Sequence, residues 1–171
     1  MTDKISIVKR EAINSLCIFD VVGTMKLGKV MGPAYEKISD SLKEQGIPFG
    51  KKDLPFTMYK DINWDGFCEK GIIAMIKMMF FKKWNLQMGI TCPDEAKASG
   101  KIKKETLSAG KFIRAIHQGP YMKVSETYIK IQAFANKENI ALKDYSIEFY
   151  LNDPREVAPE DIKTEVLVAT R

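Results

Sequence analysis

The chain repeats one plan of elements, and this repeat limits its possible folds more than any other feature. A strand-like run, Ile13 to Val22, meets Gly23 and is followed by a helical run; Phe112 to His117 meets Gly119 and is followed by another. Three pairs of residues are 93 positions apart: Tyr35 and Tyr128, Ile38 and Ile131, Ile47 and Ile140. A chain with an internal repeat usually folds as two similar units that bury a face against each other. The seam between such units is a natural place for a ligand.

Each half reads as strand, helix, strand, strand. After the first strands, the patterns predict helices over 34–45 and 122–138, and strands over 55–60, 86–91, 147–151 and 163–169. The hydrophobic face of each helix should cover its own three-stranded sheet. The predicted fold class is therefore α+β, with duplicated βαββ units related by a pseudo-twofold axis. Antiparallel sheets would carry helices on one face, with a ligand groove between the halves.

The whole chain, 1–171, is predicted to form one domain. Repeat one covers about 5–92, with an insert at about 62–85, and repeat two covers about 101–171. The insert contains Trp64, Phe80 and Trp84 among several methionines, which are adaptable apolar side chains. These residues either pack the insert onto the domain, complete a hydrophobic pocket or form a dimer surface.

Composition excludes several classes of protein. The net charge is +5, but the lysines are scattered and no helix-turn-helix signal is present, so no direct nucleic-acid binding is expected. Three distant cysteines and one histidine support neither a disulfide framework nor a metal site, and no cofactor is expected. The apolar run Ile72 to Phe81 is far shorter than the roughly 20 residues that a bilayer needs. The N-terminus has no signal-peptide pattern, so a cytoplasmic location without membrane association is expected.

Several short motifs in the second half carry a family resemblance. They are Gly119-Pro120-Tyr121 after a strand, Glu148 and Tyr150 before Asn152-Asp153-Pro154, and Thr164-Glu165-Val166 near the end. On its duplicated frame the chain resembles the GyrI-like small-molecule-binding domain. That domain is also the effector-binding domain of some AraC-type and MerR-type transcription activators, and it occurs in a bacterial DNA gyrase inhibitor. The chain shows no DNA-binding domain, so the resemblance implies a stand-alone member rather than a complete transcription factor.

The resemblance implies a cleft for amphipathic molecules, often aromatic or cationic, between two βαββ units. It also implies a role for Glu148, because some stand-alone relatives are reported to hydrolyse cyclopropane-containing compounds with a cleft glutamate. Strand alternation places Ile147 and Phe149 on one face and Glu148 with Tyr150 on the other. The apolar set is expected to face the helix and Glu148 to face the groove. From the residues alone, an ordinary solvent-facing glutamate is the alternative.

The remaining candidates for the ligand site are weighed against structural roles. Tyr59 and Tyr121 could line the groove beside Tyr150, since aromatic rings suit planar ligands and cations. Glu165 is either a groove carboxylate or a cross-strand partner of a Lys or Arg. His117 could act as a general base, but its place before a Gly-Pro turn favours a structural hydrogen bond. Tyr35 and Tyr128 are interpreted as core residues.

Two functions follow, and the sequence leaves both open. The first is a stand-alone binder that sequesters or senses an amphipathic aromatic or cationic compound. The alternative is a hydrolase of cyclopropane-type or other electrophilic compounds, with Glu148 as the catalytic residue. A protein-binding module of the gyrase-inhibitor type is less favoured because the net charge is positive. The expected partner is a small ligand, and a weak homodimer is left open.

Overall fold

The computed structural model describes residues 5–48, 53–64 and 82–171. Its two long helices are α1 (Leu27–Glu44) and α2 (Val124–Lys137). Its strands are β1 (Ser6–Arg10), β2 (Ile13–Gly23), β3 (Pro55–Lys60), β4 (Lys83–Thr91), β5 (Lys103–Leu107), β6 (Gly110–Gln118), β7 (Leu142–Tyr150) and β8 (Lys163–Thr170). Neither helix, nor any other in the described ranges, has the length and apolar character needed to span a membrane.

The eight described strands form one continuous sheet, so the α+β class is confirmed but the separate sheets are not. The strand order is β1-β6-β8-β7-β3-β4-β2-β5, and every neighbouring pair is antiparallel. The two predicted sheets merge because β3 and β7 pair directly. The boundary between the two halves is therefore a hydrogen-bonded strand pair. The internal duplication stays a prediction.

The connections force this sheet to curl. β1 is first in the order and β2 is seventh, yet Arg10 and Ile13 are only three residues apart. Three residues reach about 11 Å, whereas six strand spacings in a flat sheet would need about 29 Å. Leu107 and Gly110 join the eighth strand to the second in the same way. The sheet therefore closes most of the way into a barrel, with an inner face that we call the lumen and an outer face.

Both helices pack on the outer face and leave the central strands between them. α1 packs against β2 and β4, and α2 packs against β6 and β8. The buried residues under α2 include Ile113, Val166 and Val168. β3 and β7, at the middle of the order, lie between the two helices. We call the region of the outer face above these two strands, between the helices, the cleft.

Helix α1 begins seven residues earlier than predicted. Glycine and proline favour turns, and Gly28, Gly32 and Pro33 precede the predicted start, yet all three lie inside the helix. An interior proline lacks one hydrogen bond of the helix. Leu27, Val30, Met31 and Ala34 continue the apolar stripe onto a cluster with Val22, Trp84 and Leu86. Burial of this stripe outweighs the local preference for a turn.

Strand β5 (Lys103–Leu107) is absent from the predicted elements. Lys103 and Lys104 lie in this edge strand, which pairs with β2. Lysines are common on edge strands because their charge discourages pairing with other chains. A polar edge strand has little hydrophobic alternation, so its sequence resembles that of a loop.

The lumen contains a second core, distinct from the layers under the helices. Cys17, Phe56, Leu107, Phe112, Ile147 and Leu167 are its largest buried members. Gly89 lies in this core, where an added Cβ would be 2.6 Å from the Phe56 ring and 2.7 Å from the Cys17 sulfur. Such contacts are too short for any side chain, so close packing explains this glycine.

Candidate functional site

The candidate site lies in the cleft between the helices, above the two central strands. β3 and β7 pair with Thr57 opposite Glu148 and with Tyr59 opposite Ser146. Opposed residues of an antiparallel pair point to the same face. Glu148 also pairs with Val166, which packs under α2. These polar side chains therefore all point to the outer face of the sheet.

Tyrosine hydroxyls surround the carboxylate of Glu148, which is only 4% exposed. The Tyr128 hydroxyl donates to Oε1 at 2.9 Å. The hydroxyls of Tyr150 and Tyr59 donate to Oε2 at 3.2 and 3.5 Å. In the part of the chain that the structure describes, no Lys or Arg forms an ion pair with Glu148. The site thus contains a buried acid with neutral hydrogen-bond donors.

Burial dominates the acidity of these groups. It raises the pKa of Glu148 to about 7, while the three tyrosine hydrogen bonds act in the opposite direction. Burial also raises the pKa of Tyr59, Tyr128 and Tyr150 well above the usual value. The tyrosines are therefore neutral donors near pH 7, and Glu148 changes charge in that range.

A second hydroxyl network links the two central strands. The Tyr150 hydroxyl lies 3.1 Å from Thr57 Oγ1, and the Tyr35 hydroxyl lies 2.5 Å from the same atom. Tyr35 also donates to the Phe56 carbonyl at 3.1 Å. On the other side, Tyr128 contacts Ser146 Oγ at 2.9 Å. Tyr35 of α1 therefore approaches Thr57 as Tyr128 of α2 approaches Glu148.

Aromatic rings surround this network, and three of the pairs pack edge to face. Tyr150 contacts Tyr35 and Tyr121 with ring centroids 6.0 and 5.5 Å apart. Tyr59 contacts Trp84 at 5.5 Å, and Trp64 lies 6.2 Å from Tyr128. Tyr121 is 38% exposed, so this cluster of aromatic rings reaches solvent at Tyr121. The site offers aromatic edges and faces around one ionisable carboxyl.

The predicted alternation along β7 is correct, but the prediction reversed the two faces. Glu148 and Tyr150 lie on the face that carries the helices, and Ile147 and Phe149 pack in the lumen with Phe56. The expected layout put apolar residues under a helix and left the other face free. The curl of the sheet provides an apolar lumen instead, so the helix side can hold the polar groups.

The Gly-Pro-Tyr motif positions Tyr121 and uses His117 structurally. Gly119 has φ +124°, a backbone conformation that favours glycine. Pro120 then caps the short 3-10 turn Tyr121–Lys123, which brings Tyr121 against Tyr150. His117 bonds Thr127 Oγ1 at 3.0 Å and the Pro120 carbonyl at 3.2 Å. The histidine therefore links this loop to α2 by hydrogen bonds, which is the structural role that its position before the Gly-Pro turn favours.

Glu165 does not join the cleft. It pairs with Phe149 across β7 and β8, so it points into the lumen. Its Oε1 accepts from Arg10 at 2.6 Å and from Arg114 at 2.5 Å. Of the two interpretations of this residue, the geometry fits the cross-strand partner of an arginine.

The structure brings together six of the nine predicted site residues: Glu148, Tyr150, Tyr121, Tyr59, Trp64 and Trp84. Phe80 and most of the predicted insert lie outside the described residues. Tyr35, Thr57, Tyr128 and Ser146 are contacts of the site that the sequence did not identify. Tyr35 and Tyr128 do pack in the cores, as interpreted, and their hydroxyls also reach the polar network. Their 93-residue spacing was the available signal.

A family model of the GyrI-like small molecule binding domain matches residues 79–171, more than half of the chain. The chain belongs to this family. By sequence alone, no curated protein matches it. Within the described ranges, no group of three or more potential metal ligands occurs.

Solved structures share the fold of this GyrI-like domain at low sequence identity. The C-terminal domain of EcmrR has a TM-score of 0.72 at 15% identity, covering 100% of this chain and 99% of that domain. The chain spans 58% of EcmrR in its DNA complex, with 17% identity and a TM-score of 0.79. A hydrolase from Listeria innocua has a TM-score of 0.66 at 13% identity, covering 99% and 93% of the two chains. SAV2435, solved with tetraphenylphosphonium, has a TM-score of 0.58 at 12% identity, covering 98% and 94%.

Proposed function

We propose that this GyrI-like domain binds amphipathic aromatic cations in the cleft around Glu148. One observation carries the proposal: a buried carboxylate whose described hydrogen-bond partners are neutral tyrosines. A buried ionised carboxylate without a cationic partner is costly. A ligand cation would supply that partner, and its attraction to Glu148 would grow as water is excluded. The low-identity structural relatives support only the fold.

The rings around Glu148 support an aromatic and positively charged ligand. A cation beside the face of an aromatic ring gains roughly 0.5–2 kcal/mol, depending on how far it is desolvated. Tyr121, Tyr150 and Tyr59 supply such rings within one cluster. The hydroxyls of Tyr150 and Tyr59 already bond Glu148, so a ligand could exchange edge contacts for face contacts while the carboxylate stays supported.

We also propose that the site lies on the axis of an internal duplication. Ser6 pairs with Arg114, and Lys103 pairs with Cys17. A shift of 97 carries Ser6 to Lys103 and Cys17 to Arg114. Between the central strands β3 and β7 the corresponding shift is 91, which carries Thr57 to Glu148, its direct cross-strand partner. Only the second half would then supply a carboxylate, which gives the cleft a charged side and a neutral side.

A matched pair of probes tests the binding proposal. Tetraphenylphosphonium and tetraphenylborate have similar shapes and opposite charges. Trp64 and Trp84 lie beside Tyr128 and Tyr59, so their emission reports on the cleft. We expect the cation to change this emission saturably and to bind at least tenfold more weakly to Glu148→Gln. Equal binding of both ions, or equal binding of the cation to both proteins, would contradict the proposal.

The pKa of Glu148, about 7, also favours the alternative of a hydrolase. A carboxyl with this pKa can accept a proton from water at neutral pH and return it to a leaving group. In this case Glu148→Gln would abolish turnover of an electrophilic cyclopropane compound but leave binding of an unreactive analogue nearly unchanged. Single-turnover assays beside the tetraphenylphosphonium titrations separate the two functions.

A further inference from the structure

We propose that the lumen of the curled sheet is a second ligand site, which takes small amphipathic carboxylates. It opens on the face of the sheet opposite the cleft. A cavity of about 320 Å³ lies there, of a size that suits a small ligand. An eight-stranded barrel is just wide enough to be filled by side chains or to hold one small molecule. The site is independent of Glu148 and of any cation bound beside it.

The walls of the cavity are largely apolar. The lining residues come from strands of both halves of the chain and from the short β1–β2 and β5–β6 connections. Apolar side chains in the wall include Leu54, Phe112, Ile147, Phe149 and Leu167. Phe149 is only half-buried although it lies in this core. A hydrocarbon chain in the cavity would cover surface that the protein leaves uncovered, which favours binding.

One end of the cavity carries guanidinium groups. Arg10 and Glu165 line the cavity, and Arg114 reaches the same carboxylate from β6. Each arginine is seen to use a single N–H on Glu165 Oε1, at 2.6 and 2.5 Å. A guanidinium has five N–H donors in a fork that matches a carboxylate. Donors therefore remain for an anionic head group.

The charges at this end favour an anion over a cation. Arg10 and Arg114 carry two positive charges against the one negative charge of Glu165. Glu11 also borders the cavity, but it is exposed and its charge is screened by water. A ligand cation would have to compete with two arginines that already contact Glu165. A carboxylate would instead share them.

The cavity and the cleft are separated by the sheet itself. Phe149 and Glu165 are opposed on the lumen side, and the next pair, Glu148 and Val166, is opposed on the helix side. A ligand of the cavity therefore cannot touch Glu148. Trp64 and Trp84 both pack on the helix side, against Tyr128 and Tyr59. Their emission should not respond directly to a molecule in the lumen.

The test uses decanoate, with decanol as the uncharged control, and isothermal titration calorimetry. We expect saturable binding of decanoate to the wild type and to Glu148→Gln alike, and much weaker binding of decanol. Arg10→Gln, at a side chain 44% exposed, should weaken decanoate binding about tenfold. Glu165→Gln should strengthen it, because both arginines are released to the ligand. Lys111→Gln, on the helix face of the same strand as Arg114, is the matched control for net charge and should leave the affinity unchanged.

A variant that blocks the opening of the cavity tests the proposal without altering the charge. Ala12 is exposed and borders the cavity, so Ala12→Trp should fold normally, as circular dichroism can verify, and should abolish decanoate binding. The proposal is overturned if decanoate does not bind, if Arg10→Gln and Ala12→Trp bind it as the wild type does, or if Glu148→Gln removes its binding. Because decanoate binding does not depend on Glu148, failure of tetraphenylphosphonium to bind would leave this result intact.

Discussion

Thr57 and Glu148 face each other directly across the pair of central strands, and each is approached by a tyrosine hydroxyl from a different helix. Tyr35 contacts Thr57, and Tyr128 contacts Glu148. The two positions differ in chemistry, since only Glu148 can ionise. The behaviour of the cleft with pH should therefore follow Glu148 alone.

The affinity for tetraphenylphosphonium should rise with pH and level off above about pH 7. The pKa of Glu148 is raised to about 7 by burial, so below that pH a proton competes with the cation. At the limit, each unit of pH below 7 costs tenfold in affinity. Titrations from pH 5.5 to 8.5 measure this slope, and Glu148→Gln should show a flat profile. A wild-type profile as flat as that of the variant would exclude Glu148 as the titrating group.

The stability of the ligand-free protein should depend on pH in the opposite sense. The folded pKa of Glu148, about 7, lies above the ordinary value of 4.5, so the protonated form stabilises the fold. That contribution is complete below the unfolded pKa and is lost as the pH rises through 7. The difference in pKa corresponds to roughly 3 kcal/mol. Urea unfolding should show Glu148→Gln gaining stability over the wild type at pH 8 and little or none at pH 4.

Tyr128→Phe and Tyr35→Phe form a matched pair. Tyr128→Phe removes a donor that lowers the pKa of Glu148, so the midpoint of tetraphenylphosphonium binding should move up by about one pH unit. Tyr35→Phe removes a hydroxyl that contacts Thr57 and donates to the Phe56 carbonyl, so the midpoint should stay in place. Equal shifts in the two variants would mean that general loosening of the cleft, rather than the bond to Glu148, controls the titration.

Much of the fold could be predicted from periodicity, whereas the relation between the two faces could not. β3 has the predicted bounds, Pro55–Lys60, because its short apolar run stands between clear turn signals. The face that Glu148 occupies depends on the curl of the sheet. That curl arises because β1 and β5 pair with distant strands, and such pairing leaves no local pattern in the sequence. Glu148 and Tyr150 could be identified as site residues from the sequence. Tyr35 and Tyr128 could not, because their rings pack in the cores and only their hydroxyls reach the site.

Gly89→Ala and Gly32→Ala should change stability in opposite directions. An added Cβ at Gly89 would overlap the Phe56 ring and the Cys17 sulfur, so this variant should lose about 1–3 kcal/mol. Gly32 lies in α1 with no atom within 4 Å of such a Cβ, so alanine there should gain about 0.5–1 kcal/mol. Thermal unfolding of both variants measures the two effects. A neutral Gly89→Ala would mean that the lumen core can relax around a methyl group.

The exchange of edge strands makes the two halves inseparable. β1 has its partner in β6, and β5 has its partner in β2, so each half supplies the outermost strand of the other. A gene shortened to one half would encode a chain with an unpaired strand and an uncovered ladder at β3 or β7. Such a chain could regain its partners only by associating with a second copy. The tethered arrangement leaves each half free to change its own side chains, so one half can carry an acid that the other lacks.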